Sequence, residues 1–443
     1  MYRFFLWVKD NENQLWVKPA IGSLFAIGFA LFAAAGNQLD LPKNFPEIER
    51  DTLDGLLTVI ASSMLAVTTF SLSIMVSAFA SASAAATPRA TALVIGDEHA
   101  HNAIASFISA FIYSIIAKSA LGVSYYGPTG RFILFISTLA VLIYLIYTLI
   151  RWVRTMSSLG RMGNTIDKIE VATTNAMQNY RDRPTMGALL SAPTEPVGVP
   201  VRCEEVAYVR HINIEGLQAM AVEIDGRIHI MARPGTLVDP GTVLLYIESS
   251  HEDIDLERAR NAVLLGKMRS FDQDPRFGMI VLSEVAQRAL SPAVNDPGTA
   301  ISVMNAMARI LISTRPNPNS TDSGEFDRLS LVEIDETDLV RQGFDPISRD
   351  GAAIFEVIIR MQKLLASIAE QAVLSLKMPA HQQAADALRR ACQSLALESE
   401  KQAITDVFGQ LHGHAVKLDA DDADAGAARA TAPPPRTTAG EPA

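Results

Sequence analysis

The chain has 443 residues, 49% of them hydrophobic and 19% charged, with a mean hydropathy of +0.18. This is too apolar for an ordinary soluble protein and too polar for one embedded throughout, so a membrane part joined to a soluble part is predicted. The net charge of -10 excludes a general basic field for nucleic acid. Two distant cysteines, Cys203 and Cys392, make neither a disulfide framework nor a zinc cluster.

Four apolar segments in the first 155 residues are long enough to cross about 30 Å of hydrocarbon as helices. They run from about Val17 to Gly36, Leu56 to Ala86, Ile104 to Val123 and Phe132 to Ile150. The first run is longer than a usual signal-peptide core and is interpreted as a retained span. The second is overlong and must tilt or project from the bilayer.

The distribution of lysine and arginine predicts the topology. With the N-terminus inside, the inner segments hold eight of these residues (Arg3, Lys9, Lys18, Arg89, Arg151, Arg154, Arg161 and Lys168) and the outer loops hold three (Lys43, Arg50 and Arg131). The excess of positive charge inside predicts a multi-pass protein with both termini in the cytoplasm.

The second span is rich in hydroxyl residues, which permit two interpretations. Small hydroxyl side chains let helices pack closely and bond to a neighbouring backbone. They also suit a helix that lines a wet path. Because Ser62, Thr69, Ser73 and Ser77 fall on one side of a helix, they are the pore-lining candidates, whereas Ser63, Thr68 and Ser71 would contact other helices.

Lys118 lies inside the third span, about five residues from its outer end. An intramembrane cation is costly and often functional. The long side chain either reaches the interface or takes part in a conduction path or an internal ion pair. We therefore count Lys118 among the pore-lining candidates.

The fold class predicted is an α-helical membrane domain followed by an α+β soluble domain. A helical extension from Gly160 to Tyr180 and a proline-rich linker occupy residues 156–200, a small β-rich unit 201–250, a mainly helical part 251–418, and a disordered tail 419–443. Strands are predicted at Arg227–Met231, Thr242–Ile247 and Leu329–Ile334, with Asn213 capping a short helix.

The strand, Gly-x-x-Val-x-x-Gly turn and strand of residues 201–250 resemble the barrel-sandwich hybrid of biotinyl and lipoyl carriers. Those carriers need a lysine on an exposed hairpin, and there is none between Val201 and Ser250. The resemblance therefore implies a packing module rather than a swinging arm.

The most specific short segment runs from Arg288 to Ala300, with the sequence RALSPAVNDPGTA. Asp296 is predicted to cap a helix whose first residue is Pro297, and the preceding helix to end near Leu290. This segment is either a tight turn between helices or a polar contact site. The motif candidates are Arg288, Ser291, Asn295, Asp296 and Thr299.

This segment looks like the Ser-Pro-x-x-Asn-Asp-Pro-x-Thr-Ala signature of a family of bacterial predicted membrane proteins, catalogued as a domain of unknown function. The resemblance extends over nearly the whole chain except the tail. It includes Ser62-Ser63-Met64, Phe70-Ser71, Thr87-Pro88-Arg89, the Arg233–Gly241 turn with its two Pro-Gly pairs, and Asp274-Pro-x-Phe-Gly278. It implies an architecture and no established activity.

No phosphate-binding loop, dinucleotide fingerprint or nucleophile elbow occurs in the sequence. The Asp97–His101 segment, with Glu98 and His99, is either a solvated loop or a metal site, and His412 and His414 adjoin the tail. We predict no enzyme, no metal, no cofactor and no nucleic-acid partner.

Two function classes follow. The favoured one is a homo-oligomer in the lipid bilayer that forms a conduit for ions or small solutes, gated by its cytoplasmic domain. The alternative is a membrane-anchored sensor or scaffold without conduction.

The charge distribution gives a direct test of topology. A protein that fluoresces only in the cytoplasm, fused to the C-terminus, should be bright in cells that express the full chain. A dark fusion that is present in the membrane at normal amounts would contradict the four-span arrangement. The same reporter fused after Gly127 serves as the control that should be dark.

Overall fold

A computed structural model describes residues 17, 19–24, 27–28, 48–85, 87–95, 98–123, 125–158, 161–191, 196–251, 253–318 and 325–413. The chain divides into two compact units, Met1–Lys168 and Ile169–Ala443. Each unit is described separately below.

Most of the described residues of the first unit are helical. Its helices are α1 (Arg50–Ala85), α2 (Pro88–Ile95), α3 (Glu98–Gly122), α4 (Pro128–Ser158) and the beginning of α5 (Met162–Asp182). Three helical stretches are long and apolar enough to span a membrane: Arg50–Ser81, Ala100–Gly122 and Pro128–Met156. They match the last three predicted spans. The first predicted span lies mostly outside the described residues.

The spans pack through a narrow apolar seam. α1 packs chiefly on α3, and α3 packs on α4. Phe107, Met75 and Leu57 are almost completely buried in the seam. Hydrogen bonds add to it between α3 and α4, where the Tyr113 hydroxyl lies 2.8 Å from Ser137 Oγ. Such polar contacts and close packing are what hold helices together in lipid, where the hydrophobic effect between helices is absent.

The predicted helical extension of the fourth span is wrong in one respect. A helix does cover most of Gly160–Tyr180, but α4 ends at Ser158 and Arg161 is not helical. α5 is therefore a separate helix.

The second unit contains eight strands within its described residues. They are β1 (Ala188–Ser191), β2 (Val199–Arg202), β3 (Ala207–Ile212), β4 (Arg227–Ile230), β5 (Leu237–Val238), β6 (Val243–Glu248), β7 (Val263–Gly266) and β8 (Phe326–Leu331). One sheet has the order β1-β8-β4-β6-β2 and the other β5-β3-β7. β8 pairs in parallel with both β1 and β4, which the local hairpin pattern did not predict.

The strands predicted from alternation are confirmed within a few residues, as β4, β6 and β8. The short helix α6 (Ile214–Glu223) begins as predicted, because the Asn213 side chain accepts a bond from Gly216 N. α6 packs on β8 and β4. Leu217, Ile228, Ile230 and Leu331 are fully buried in the resulting core.

A helical layer completes the second unit. After α7 (Leu256–Asn261) come α8 (Pro275–Leu290), α9 (Pro297–Ser313), α10 (Thr337–Asp350), α11 (Phe355–Gln371) and α12 (Lys377–Ser394), followed by helical residues 398–413. α8 packs on α9 and α10, α9 on α11, and α12 on both α10 and α11. The five helices α8–α12 thus form a closed cycle of contacts.

The contact between α8 and the second half of α5 requires a glycine. A Cβ atom built on Gly278 would lie 2.6 Å from Thr173 Cβ, closer than side-chain carbons approach. Thr173 is itself fully buried and donates to Ile169 O at 2.6 Å, so it has little freedom to move. This explains the glycine of the Asp274-Pro-x-Phe-Gly278 segment.

Gly278→Ala should therefore destabilise the protein by about 1–3 kcal/mol through overpacking, although alanine is the better helix former. The matched control is Gly409→Ala, because a Cβ there meets nothing within 4 Å. That change should be neutral or stabilise by up to about 1 kcal/mol. Chemical unfolding of both variants provides the measurement, and equal stability would show that the α5–α8 contact is loose.

Candidate functional site

The Arg288–Ala300 segment forms the turn between α8 and α9. α8 ends at Leu290 and α9 begins at Pro297, which confirms the prediction for both helix ends. Asp296 Oδ1 accepts from Thr299 N at 3.0 Å, and its Oδ2 accepts from Thr299 Oγ1 at 2.6 Å. Asp296 is the N-cap of α9.

Hydrogen bonds between backbone groups hold the turn together, and several of its side chains are exposed. Asn295 has φ +50°, in the left-handed region that asparagine tolerates better than most residues. Its N–H donates to Ser291 O at 2.9 Å, and Asp296 N donates to Ala289 O at 2.8 Å. Ser291 Oγ donates to Arg288 O at 2.7 Å. The side chains of Arg288, Asn295 and Asp296 are exposed.

The structure therefore places the motif candidates together on one exposed turn. The bonds from the Thr299 hydroxyl and backbone N–H lower the pKa of the Asp296 carboxyl. The hydrogen bonds of this segment are those of a helix cap and a rigid turn. Val294, which is 52% exposed, and the exposed Arg288 place one apolar and one charged side chain at the surface of this turn.

A second cluster lies buried around Asp274, which is 1% exposed. Asp274 is the N-cap of α8, and Arg269 binds its Oδ2 through Nε at 2.7 Å and Nη2 at 2.5 Å. Arg276 Nε lies 3.7 Å from its Oδ1. Burial raises the pKa of the Asp274 carboxyl, and the two guanidinium groups act against that shift.

The Arg233–Gly241 turn packs directly on this carboxylate. A Cβ on Gly235 would lie 2.5 Å from Asp274 Cγ, and Gly235 has φ +88°, so only glycine fits. Arg233 is buried and donates from Nε to Val332 O and from Nη2 to Pro184 O. Two of the segments that carry the family resemblance thus meet at Asp274.

Arg276 extends the cluster to α10, where its Nη1 lies 3.8 Å from Asp338 Oδ2. Two residues before Asp338, Glu336 precedes α10 and pairs with the buried Arg181 of α5. The Tyr180 hydroxyl also donates to Glu336, at 3.1 Å. Desolvation of the phenol and the charge of Glu336 raise the pKa of Tyr180 to about 12.

Lys118 is paired within the first unit. Its Nζ lies 3.0 Å from Asp54 Oδ2 and donates to Thr58 Oγ1 at 2.5 Å. Asp54 and Thr58 stand one turn apart on α1, so the ion pair joins the start of α1 to the end of α3. Arg50 Nη2 reinforces this junction by donating to Gly122 O at 2.7 Å. Of the two alternatives for Lys118, the structure has the internal ion pair.

The pore-lining candidates of α1 all lie on the exposed side of the helix. Ser62, Thr69, Ser73 and Ser77 are exposed, whereas Ser71 is fully buried. On a helix with 100° per residue, the four exposed hydroxyls lie about 180° from the side formed by Leu57, Met64 and Met75, which is buried. They therefore make no contact with α3 through this side.

The remaining histidines and cysteines make no cluster of three or more metal ligands within the described residues. The loop interpretation of Glu98–His101 is wrong, since α3 begins at Glu98 and His101 is buried. Asp97 and His414 lie outside the described residues. His412 is buried, and its Nδ1 lies 2.9 Å from Nδ1 of His381. Cys203 is buried and Cys392 half-buried, both as free thiols.

Sequence reasoning missed the roles of Asp274 and Arg181. The signal for Asp274 was present, because Asp followed by Pro marks a cap and the first helical position, as at Asp296. Arg181 carries no such local signal. Its partner Glu336 is 155 residues away, and only the fold shows that the pair is buried.

The cap at Asp296 can be measured. Asp296→Ala should lower the free energy of unfolding by about 1 kcal/mol, whereas Asp296→Ser should cost only a few tenths, because serine also caps. Since the folded pKa is lowered, this stabilisation is present above the unfolded pKa of about 3.9 and lost as the pH falls through the folded value. Chemical unfolding at pH 7 and near pH 3 tests both statements. An alanine variant as stable as the native chain at pH 7 would disprove the cap.

Comparison with known proteins places this architecture in a family. Uncharacterized proteins of Mycobacterium bovis and Mycobacterium tuberculosis are each 22% identical to this chain over 412 residues, covering 88% of it and 78% of their own length. No solved structure matches the chain. The family described as "Predicted membrane protein (DUF2254)" matches residues 12–367, a range that includes the three apolar helices, the Asp274 cluster and the Asn295–Asp296 turn. The chain therefore belongs to this family of predicted membrane proteins.

Proposed function

We propose that the protein is an oligomeric conduit for ions or small solutes, in which the exposed hydroxyl side of α1 lines the path. The observation that carries the proposal is the position of Ser62, Thr69, Ser73 and Ser77, opposite the buried side of α1. A strip of hydroxyls on the outside of a membrane helix is favourable where another helix or water covers it. A second copy of the chain would provide that cover.

The outward side of α4 supports this assignment by contrast. It carries bulky apolar side chains, among them Ile143, Ile146 and Ile150, each more than half exposed. Such residues suit contact with lipid tails. On α1 the hydroxyl strip is flanked by Val59 and Phe70 on one side and by Leu65 and Val76 on the other. These flanks are the surfaces through which neighbouring copies would pack, with the strip between them.

The ion pair of Lys118 and Asp54 lies beside one end of this strip. The side chains are 39% and 45% exposed, so the pair is not enclosed by α1 and α3. Because the pair is neutral as a whole, it does not by itself favour one sign of permeating charge. Its role in the proposal is to fix the spacing of α1 and α3 at the mouth of the path.

One observation favours the second function class, a membrane-anchored sensor or scaffold. The hydroxyls of Ser62, Thr69 and Ser73 donate to carbonyls on their own helix, at 2.9, 2.9 and 3.0 Å. A hydroxyl bonded in this way needs no water and is tolerated against lipid. In this alternative the four spans only hold the second unit at the membrane.

For either class we propose the bacterial inner membrane, with both termini in the cytoplasm, and no catalytic activity. The predicted charge asymmetry supports the orientation. In the conduit class, the cytoplasmic second unit gates the path between copies.

Accessibility of α1 to water separates the two classes. After Cys203 and Cys392 are replaced by serine, single cysteines at positions 62, 69, 73 and 77 should react with a small charged thiol reagent in intact membranes. Cysteine at position 71, which is buried, and at position 143, which faces outward on α4, should stay unreacted. In planar bilayers the reagent should also block current through the four reactive variants.

Protection of all four strip positions, together with the absence of current from the reconstituted native chain, would contradict the conduit and favour the anchored sensor. Reaction at position 143 as fast as at the strip would show only that the reagent crosses lipid. A permeable thiol reagent applied to every variant serves as the control that each cysteine is present and reduced.

A further inference from the structure

Arg181 is the most deeply buried guanidinium group among the ion pairs of the second unit. It lies in the last turn of α5, and its side chain is 4% exposed. Its Nη1 binds Glu336. Its guanidinium carbon lies 5.5 Å from the centre of the Tyr180 ring, so the ring covers one face of the group. The in-plane edge formed by Nε and Nη2 is left to bind something else.

In the part of the chain that the structure describes, neither Nε nor Nη2 of Arg181 has a hydrogen-bond acceptor, although both atoms are buried. This is the edge through which arginine binds carboxylate or phosphate with two parallel bonds. A charged donor that is buried without an acceptor destabilises the folded chain, because it has lost its bonds to water. The arrangement is therefore that of a donor pair prepared for an acceptor.

Two other arginines of the same unit show what this edge normally binds. Arg309 donates from Nε and Nη2 to Glu170 at 2.7 and 2.6 Å. Arg269 uses the same two atoms on Asp274. In both cases a carboxylate takes both bonds. Arg181 differs because its one carboxylate partner, Glu336, is bound at the other end of the guanidinium group.

The surroundings favour an anion at this edge over a neutral acceptor. Glu336 already accepts from Tyr180 and Ser375 as well as from Arg181. The buried Arg233 is close enough that its charge lowers the pKa of Tyr180, against the effect of burial and Glu336. The carboxylate bound to Arg181 is thus shared among three donors, so an oxyanion at the Nε–Nη2 edge would add negative charge beside a poorly solvated guanidinium group.

We propose that the Nε–Nη2 edge of Arg181 binds a small oxyanion, either a carboxylate or a phosphate, in the second unit of the protein. Its two oxygens would accept from Nε and Nη2 of Arg181, as the two oxygens of Glu170 accept from the same two atoms of Arg309. This site does not depend on conduction through the first unit, so it can be tested independently of the proposed conduit.

The test measures thermal unfolding and calorimetric binding of the full chain in detergent, with inorganic phosphate and with acetate, at an ionic strength held constant with chloride. At least one of the two oxyanions should raise the melting temperature and bind with saturation. Phosphate alone would identify a phosphate site, and acetate alone a carboxylate site. If neither anion binds beyond the effect of chloride, the proposal is overturned.

Arg181→Lys keeps the charge facing Glu336 and removes the two-bond edge, so oxyanion binding should weaken by about tenfold or more, which corresponds to 1.4 kcal/mol. The matched control is Arg309→Lys, which loses the same edge at an exposed pair and should leave binding unchanged. Binding by Arg181→Lys as tight as by the native chain would overturn the proposal.

Glu336→Gln provides a second variant in case Arg181→Lys does not fold. It keeps the edge of Arg181 and removes the competing negative charge, so the same oxyanion should bind as tightly as before or more tightly. Weaker binding by this variant would place the anion elsewhere and overturn the assignment to Arg181.

Discussion

The architecture of the second unit depends on one buried carboxylate. Asp274 caps α8 and accepts two hydrogen bonds from Arg269. The turn at Gly235 packs directly against its carboxylate. A buried ion pair of this kind is a poor source of stability compared with apolar packing, but the loss of one partner is costly because the other charge remains. The carboxylate therefore specifies where the β-rich part and the helical layer meet, more than it stabilises either.

Local chemistry predicted the helix ends and part of the sheet. Asp296 and Pro297, Asn213, and the alternation in Arg227–Ile230 each act through neighbours a few residues apart, so they are legible in the sequence. The ion pairs between residues far apart in the sequence cannot be predicted in this way. Lys118 pairs with Asp54, which is 64 residues away in the sequence, and Arg181 pairs with Glu336, which is 155 residues away. An arginine in the last turn of a helix looks like a surface residue until the fold buries it.

The hydroxyl side of α1 shows why a single chain leaves function open. Its residues were predicted to share one side, and they do lie on one exposed side. Because these hydroxyls bond to their own helix, they are compatible with lipid. Because they lie on the side of α1 that points away from α3, they are also available to another copy. The same atoms thus serve a wet path or a dry surface, and the surrounding assembly decides which.

The position of β8 has a consequence for the order in which the protein is made. This strand lies between β1 and β4, yet it leaves the ribosome after α8 and α9. Until residues 326–331 emerge, β1 has no partner strand and β4 has an unpaired edge, and such edges invite association with other chains. The spans of the first unit emerge earlier and would already be inserted. Each growing chain is therefore tethered to the membrane by its earlier helices while its sheet is still incomplete, and synthesis continues at about 5–20 residues per second.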